Sequence, residues 1–200
     1  MTKPWGEIKK QFMSGVVLFS FLIVFTFIMS PEYKQSELST MTLTVSNNPI
    51  FKQKHFKGSS YWAELYFEEQ KNKYEIRGID YKYLKVKQFK DSIKKGDQVT
   101  ISTKGDKILL FSKNGFEYMD FVKAQFHKSK NRLFALGEFL TGLIFCIIPL
   151  FFKDRPTFNF NGQLIVVKFG WIFIISMTIA FIILTKYIGF RYVSGDEFII

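Results

Sequence analysis

Three long apolar runs constrain this chain more than any other feature of its sequence. Two of them, Leu133–Phe152 and Leu164–Thr185, are separated by only eleven residues, and the third, Phe12–Met29, lies near the N-terminus. Each is about 20 residues long, enough for a helix to cross the ~30 Å hydrocarbon core of a bilayer. Because backbone polar groups in lipid must be paired within the segment, we expect all three runs to be transmembrane helices.

These runs divide the chain into seven segments. In order, they are a basic N-terminal segment (1–11), a first transmembrane helix (12–29), a small soluble β domain with one short helix (31–132), a second transmembrane helix (133–152), a short loop (153–163), a third transmembrane helix (164–185) and a C-terminal tail (186–200). Three spans place the tail on the same side of the membrane as the β domain.

The flanking charges give two conflicting indications of orientation. Lys3, Lys9 and Lys10 precede the first run, which has no small residues at its end for cleavage and is therefore expected to be an uncleaved signal anchor. The positive-inside rule then places the N-terminus in the cytoplasm and the β domain outside. Basic residues before the second run favour the opposite orientation. We follow the first span, since it usually sets the orientation and long loops translocate largely regardless of charge.

The soluble segment has the alternation typical of strands. From Tyr61 to Glu68, apolar and polar residues alternate, and after a polar turn the pattern resumes over Tyr74–Arg77. Met41–Val45 is a short β-branched run before them. The spacing of Val86, Phe89 and Ile93 predicts a short helix.

A hairpin is predicted next, with strands Val99–Thr103 and Ile108–Ser112 around a Gly-Asp turn. Phe116–Met119 follows as a last strand, and from Asp120 a helical pattern leads toward the second span. The fold class predicted is therefore an α+β membrane protein, with three transmembrane helices and a small β-barrel domain of the SH3 or OB kind between the first and second.

Three stretches of this domain carry a resemblance to a known group. They are Tyr61–Leu65, Tyr74–Ile76 and Lys95–Ile101, the last with a Gly-Asp start to a strand. The chain resembles a broad group of uncharacterised small bacterial membrane proteins with an anchor helix, a compact β domain and further spans. The resemblance implies no known activity, but it does imply location in the bacterial inner (plasma) membrane.

The charge of the soluble segment favours an anionic neighbour. Residues 31–132 carry 20 Lys and Arg against 12 Asp and Glu. Lys128, Lys130 and Arg132 adjoin the second span, and we expect them to contact the membrane surface. Tyr81–Lys90 interleaves bases and aromatics, as some single-strand nucleic-acid sites do. A solvated lysine face explains that run better, so the expected partners are the lipid bilayer and another membrane or envelope protein, not nucleic acid.

Glu138 is the one acid inside a predicted span. An acid in hydrocarbon suggests a functional polar site, such as an ion or proton site. However, Glu138 lies only five residues beyond Leu133, roughly 7–8 Å along the helix, so that its carboxylate can reach the headgroups. Interfacial anchoring or helix packing is the favoured interpretation.

The residues expected of an enzyme are missing from the sequence. Cys146 is the single cysteine, and His55 and His127 lack metal-ligand spacing. No common catalytic or nucleotide-binding motif occurs. Glu64, Glu68 and Glu75 could converge across the predicted hairpin, but the alternation directs them toward solvent. We therefore predict no catalytic site, no cofactor and no metal, the alternative being catalysis by an unrecognised constellation of residues.

The sequence supports three hypotheses about function. The first is a non-enzymatic integral membrane protein whose β domain binds a protein partner or the envelope surface. The second is a subunit of a membrane transport or secretion assembly, and the third is an immunity-type protein against a membrane-active toxin. We also expect the apolar, aromatic tail at 186–200 to pack on the β domain, the alternative being that it prolongs the third helix.

Overall fold

The computed structural model describes residues 4–29, 32–55 and 59–188. The chain is α+β, with three long apolar helices and a mixed sheet. Its residues form two compact units, a helical unit (4–29 and 130–188) and a sheet domain (32–55 and 59–129). The boundary between the units falls inside one continuous helix.

Seven strands form the sheet. They are β1 (Ser39–Thr44), β2 (Ile50–His55), β3 (Ser59–Leu65), β4 (Tyr74–Arg77), β5 (Gln98–Lys104), β6 (Lys107–Lys113) and β7 (Phe116–Glu117). Their order is β1-β5-β6-β4-β3-β2, with β7 paired to β6. All pairs are antiparallel except β4 and β6, which meet in parallel at Glu75 and Lys107. The hairpin predicted around the Gly-Asp turn is confirmed by β5 and β6.

The prediction of a closed barrel is wrong for the described residues. The free ends of the sheet are β1 and β2, and only an isolated bridge between Val45 and Phe67 joins the ends of β1 and β3. The sheet stays open because of strand β2, which the sequence pattern does not predict. It pairs with β3 from Ile50 to His55 and so occupies the edge that β1 would need to close a barrel.

The core of the sheet domain follows the predicted alternation. Ala63, Leu65 and Phe67 are almost fully buried. Two short helices, α2 (Ile79–Lys82) and α3 (Val86–Ser92), add aromatic side chains to this core. The ring of Phe89 in α3 packs edge-on against Phe111 at 4.8 Å between centroids. Such aromatic pairs stabilise a core beyond the apolar area they bury.

Three long helices dominate the helical unit. They are α1 (Trp5–Met29), α4 (Phe121–Ile147) from residue 130 onward, and α5 (Phe169–Ile188). All three are long and apolar enough to cross a membrane. Helix α4 begins in the sheet domain and continues without a break, as the helical pattern after Asp120 predicted. It ends in a single 3-10 turn, Ile148–Phe151, where Pro149 removes a backbone donor.

The segment between the last two helices differs from the predicted loop. It contains a hairpin of β8 (Thr157–Phe160) and β9 (Gln163–Val166). Asn161 and Gly162 both have positive φ, 50° and 78°, as a two-residue type I′ turn requires. The third helix therefore starts at Phe169 and not at Leu164, which lies in β9.

Two glycines of α4 mark its contacts with the other helices. A Cβ at Gly142 would lie 2.5 Å from the ring of Phe19 in α1, and one at Gly137 would lie 2.8 Å from Leu184 in α5. Because five residues correspond to a rotation of roughly 140° on a helix, the two glycines lie on different faces. Helix α4 is thus in close contact with both neighbours.

The predicted docking of the C-terminal tail lies outside the described residues. Helix α5 includes Lys186, Tyr187 and Ile188, and residues 189–200 are not described. The docking therefore stays a prediction.

Candidate functional site

Charged side chains gather on the face of the sheet opposite the core. Glu64 of β3 and Glu75 of β4 are directly opposite each other in register, and both are nearly buried, with 3% and 9% of their surface exposed. Lys52, Lys73 and Arg77 lie over them, each about half exposed. We call these five residues the charge cluster. The prediction that Glu64, Glu68 and Glu75 point into solvent is confirmed for Glu68, which is exposed. It is wrong for Glu64 and Glu75, because the longer basic side chains cover them.

Every carboxylate oxygen of the charge cluster accepts a hydrogen bond. Oε1 of Glu64 accepts from Nε1 of Trp62 at 3.0 Å and from Nζ of Lys73 at 3.3 Å, and Oε2 lies 2.8 Å from Nζ of Lys52. Oε1 of Glu75 lies 2.9 Å from Nζ of Lys73, and Oε2 lies 3.2 Å from Nη1 of Arg77. Because both carboxylates are paired in this way, they can be covered from solvent on this face of the sheet.

The cluster holds Glu64 in its ionised form. The hydrogen bond from Lys52, then that from Trp62, lowers the pKa of Glu64 from 4.5 to about 2, against the opposing effect of burial. A general acid or base works best with a pKa near the working pH. At neutral pH Glu64 is therefore a carboxylate that pairs with basic side chains of the same chain, and it is not suited to proton transfer.

A second polar contact joins the start of α4 to the rest of the sheet domain. Nζ of Lys128 donates to both oxygens of Asp80, at 2.7 and 2.8 Å, and both side chains are largely buried. On the residue directly before Lys128, Nδ1 of His127 lies 3.0 Å from the hydroxyl of Tyr83. We call these four residues the junction.

Local backbone geometry explains how the junction forms. Gly78 has φ +63°, a conformation that favours glycine, and it turns the chain from β4 into α2 so that Asp80 is buried. Asp120 caps the start of α4, because its Oδ1 accepts from the backbone N–H of Lys123 at 3.0 Å. Burial raises the pKa of Asp80, and the charge of Lys128 opposes that rise.

The four residues predicted to act at or in the membrane have different surroundings. Lys128 belongs to the junction, so this lysine has a partner within the sheet domain. Lys130 and Arg132 lie in the helical unit, where the guanidinium of Arg132 is 5.9 Å from the ring centroid of Phe27. Glu138 is half-buried in α4, and its Oε1 has no hydrogen-bond partner among the described residues. The structure does not bring these four residues together in one site.

The run Tyr81–Lys90 is not a stacking surface in this fold. Tyr81 and Phe89 are buried in the core, and Tyr83 belongs to the junction. Base stacking would need exposed aromatic faces. Lys85 and Lys90 of this run lie over aromatic rings, those of Phe116 and Phe51, at 4.4 and 4.6 Å from the centroids, but these rings belong to β7 and β2 and not to the run. The run itself therefore lacks the exposed aromatic faces that the nucleic-acid hypothesis requires.

Within residues 4–29, 32–55 and 59–188, no three His, Cys, Asp or Glu side chains are grouped so that they could hold a metal ion. No protein-family model, curated protein or solved structure matches the chain.

The charge cluster makes stability depend on pH. Because folding lowers the pKa of Glu64 from 4.5 to about 2, its contribution to the free energy of unfolding is present above about pH 4.5 and is lost as the pH falls toward 2. We expect Glu64→Gln to be less stable than the parent at neutral pH and the difference to shrink at about pH 3. Urea unfolding of the full chain in detergent, followed by Trp62 fluorescence in a Trp5→Phe/Trp171→Phe background, measures this.

The matched control is Glu68→Gln, an exposed carboxylate in the turn after β3. We expect it to change stability little at either pH. A difference between Glu64→Gln and the parent that does not change with pH would contradict the assigned pKa.

Removal of Lys128 should destabilise the sheet domain strongly. Lys128→Ala leaves the carboxylate of Asp80 buried without its cation, a loss of about 3–5 kcal/mol in the free energy of unfolding. The same unfolding measurement applies. Lys123→Ala is the control in the same helix, since its ion pair with Asp120 is exposed and such pairs contribute less than about 1 kcal/mol. Equal losses in the two variants would mean that the junction contributes no more than a surface pair.

Proposed function

We propose that this chain is a non-enzymatic integral membrane protein whose sheet domain binds a protein partner or the envelope surface. The observation that carries the proposal is the exposed surface of the three long helices. Many of their apolar side chains are more than half exposed, among them Val17, Phe21, Ile28, Ile144, Trp171 and Ile182. Apolar surface on this scale needs an apolar solvent, and lipid supplies it.

The proposed topology follows from the three spans and their flanking charges. The N-terminal lysines place the start of α1 in the cytoplasm, and the hairpin of β8 and β9 is on the same side. The sheet domain and the C-terminal tail are then extracytoplasmic. The membrane is the bacterial inner membrane, as the sequence resemblance implies.

We further infer that the sheet domain is an open relative of the small barrels of the SH3 or OB kind. The bridge between Val45 and Phe67 supports this inference, because it brings the ends of β1 and β3 together as a barrel would. Strand β2 is then an added edge strand.

Two features of the sheet domain support binding as its role. The charge cluster presents the basic groups of Lys52, Lys73 and Arg77 at the surface over buried acids, which favours an anionic partner surface. Among the described residues strand β2 ends the sheet, and an unpaired strand edge can accept an extended segment of a partner. The acids of the domain that are buried, Glu64, Glu75 and Asp80, are paired within the chain.

Topology provides the first test. We expect alkaline carbonate to leave the full chain in the membrane. A cysteine in place of Asn72, in a Cys146→Ala background, should react with an impermeant thiol reagent in intact cells whose outer membrane, where present, is permeabilised. Asn72 suits this labelling because it is exposed between β3 and β4. Labelling only after the inner membrane is broken would reverse the orientation, and extraction by carbonate would exclude membrane insertion.

Photo-cross-linking, followed by purification in mild detergent, tests the binding role. We expect a photo-cross-linking residue in place of Lys54, which is exposed on β2, to form a discrete product with a protein or an envelope polymer. The same residue in place of Phe151, in the helical unit, serves as the control and should not form that product. A stoichiometric multi-subunit complex would favour a transport or secretion assembly, and a single toxin partner would favour an immunity protein. Identical products from both positions would contradict a binding role specific to the sheet domain.

A further inference from the structure

A cavity lies between α1 and the start of α5 in the helical unit. Its volume is about 560 Å³, within the range of roughly 300–1,000 Å³ typical of small-molecule sites. One wall is a face of α1 from Trp5 to Phe19, and the other is the first turns of α5 from Phe169 onward. Trp171 on the α5 side is largely exposed, so the cavity is open to the surroundings of the helices.

The apolar part of the cavity has the length of a lipid chain. From Trp5 to Phe19, α1 rises roughly 21 Å at 1.5 Å per residue. Half of the hydrocarbon core of a bilayer is about 15 Å thick. The groove is therefore long enough for one acyl chain and for the start of its headgroup.

The polar part of the cavity consists of two cations that are distant in sequence. Arg155 precedes β8 and Lys168 follows β9, and both line the cavity. The hairpin brings them to the same place, since its base is closed by the backbone N–H of Val167, which donates to the carbonyl of Pro156 at 3.0 Å. Sequence reasoning missed this pairing because the hairpin was not predicted.

Arg155 has an unused donor in this position. Its Nε is buried and has no hydrogen-bond partner among the described residues. A buried donor without an acceptor costs free energy, which an oxygen ligand would recover. A guanidinium also matches phosphate geometry well.

The start of α5 adds to the preference for an anion. The N–H of Trp171 already donates to the carbonyl of Lys168 at 3.0 Å, which leaves the N–H groups of Phe169 and Gly170 without acceptors among the described residues. Such groups at the start of a helix attract phosphate. Gly170 lines the cavity and has open space where a side chain would be. No acidic side chain is among the described residues of the lining, so its net charge is positive.

We propose that this cavity binds an anionic phospholipid of the bilayer. The phosphate lies between Arg155, Lys168 and the first turn of α5, and one acyl chain lies along α1. The proposal rests on the proposed membrane insertion, whose topology puts the cavity in the cytoplasmic leaflet. That leaflet attracts basic groups through its anionic lipids.

Two tryptophans of the cavity, Trp5 and Trp171, make lipid contact measurable. The full chain is placed in vesicles of equal amounts of phosphatidylglycerol and phosphatidylcholine, with bromine on the acyl chains of one lipid or of the other. We expect brominated phosphatidylglycerol to quench the fluorescence more than brominated phosphatidylcholine. Arg155→Ala/Lys168→Ala should lower this preference roughly 10-fold or more, because it removes both charge-assisted contacts to the phosphate. Trp62, in the sheet domain, contributes the same background fluorescence in every variant.

The control is Lys10→Ala/Lys153→Ala, which removes two charges from the same end of the helical unit without changing the cavity. It should retain the preference for phosphatidylglycerol. Equal quenching by the two lipids in the parent, or equal loss in both double variants, would overturn the proposal while leaving membrane insertion intact. Extraction of the chain by carbonate would overturn both.

Discussion

The ion pair between Lys128 and Asp80 is the interaction on which the sheet domain depends most, because it joins the start of α4 to the rest of that domain. Both oxygens of the acid are satisfied by one ammonium group, as a buried pair requires. The hydrogen bond between Tyr83 and His127 lies beside this pair. Asp120 caps the first turn of the same helix, α4. These contacts hold the first turns of α4 against the rest of the sheet domain.

Features encoded locally could be predicted from the sequence. The three long helices follow from the length of the apolar runs, and a strand follows from the alternation that buries Ala63 and Leu65. The hairpin of β5 and β6 follows from its turn, since Gly105 has the positive φ that this turn needs. In each case the signal is contained within a few consecutive residues.

Features that depend on pairing across the chain could not be predicted. Strand β2, Ile50–His55, has apolar residues only at its start, so alternation did not reveal it, and the closed barrel was predicted in its absence. The charge cluster takes side chains from separate strands, and register is not readable from alternation alone. The apolar residues of β9 continue the hydrophobic run of the third helix, so the sequence pattern conceals the hairpin that brings the two cations to the cavity.

The two glycines of α4 have a consequence for biosynthesis. Gly142 contacts α1 and Gly137 contacts α5, so α4, the second of the three helices to be synthesised, packs against both of the others. About 100 residues separate the end of α1 from the helical-unit part of α4. Under the membrane insertion proposed above, a nascent chain synthesised at roughly 5–20 residues per second spends roughly 5–20 s with α1 alone in the lipid. The first helix must therefore persist there as a monomer, while α5 emerges from the ribosome to find its binding face already formed.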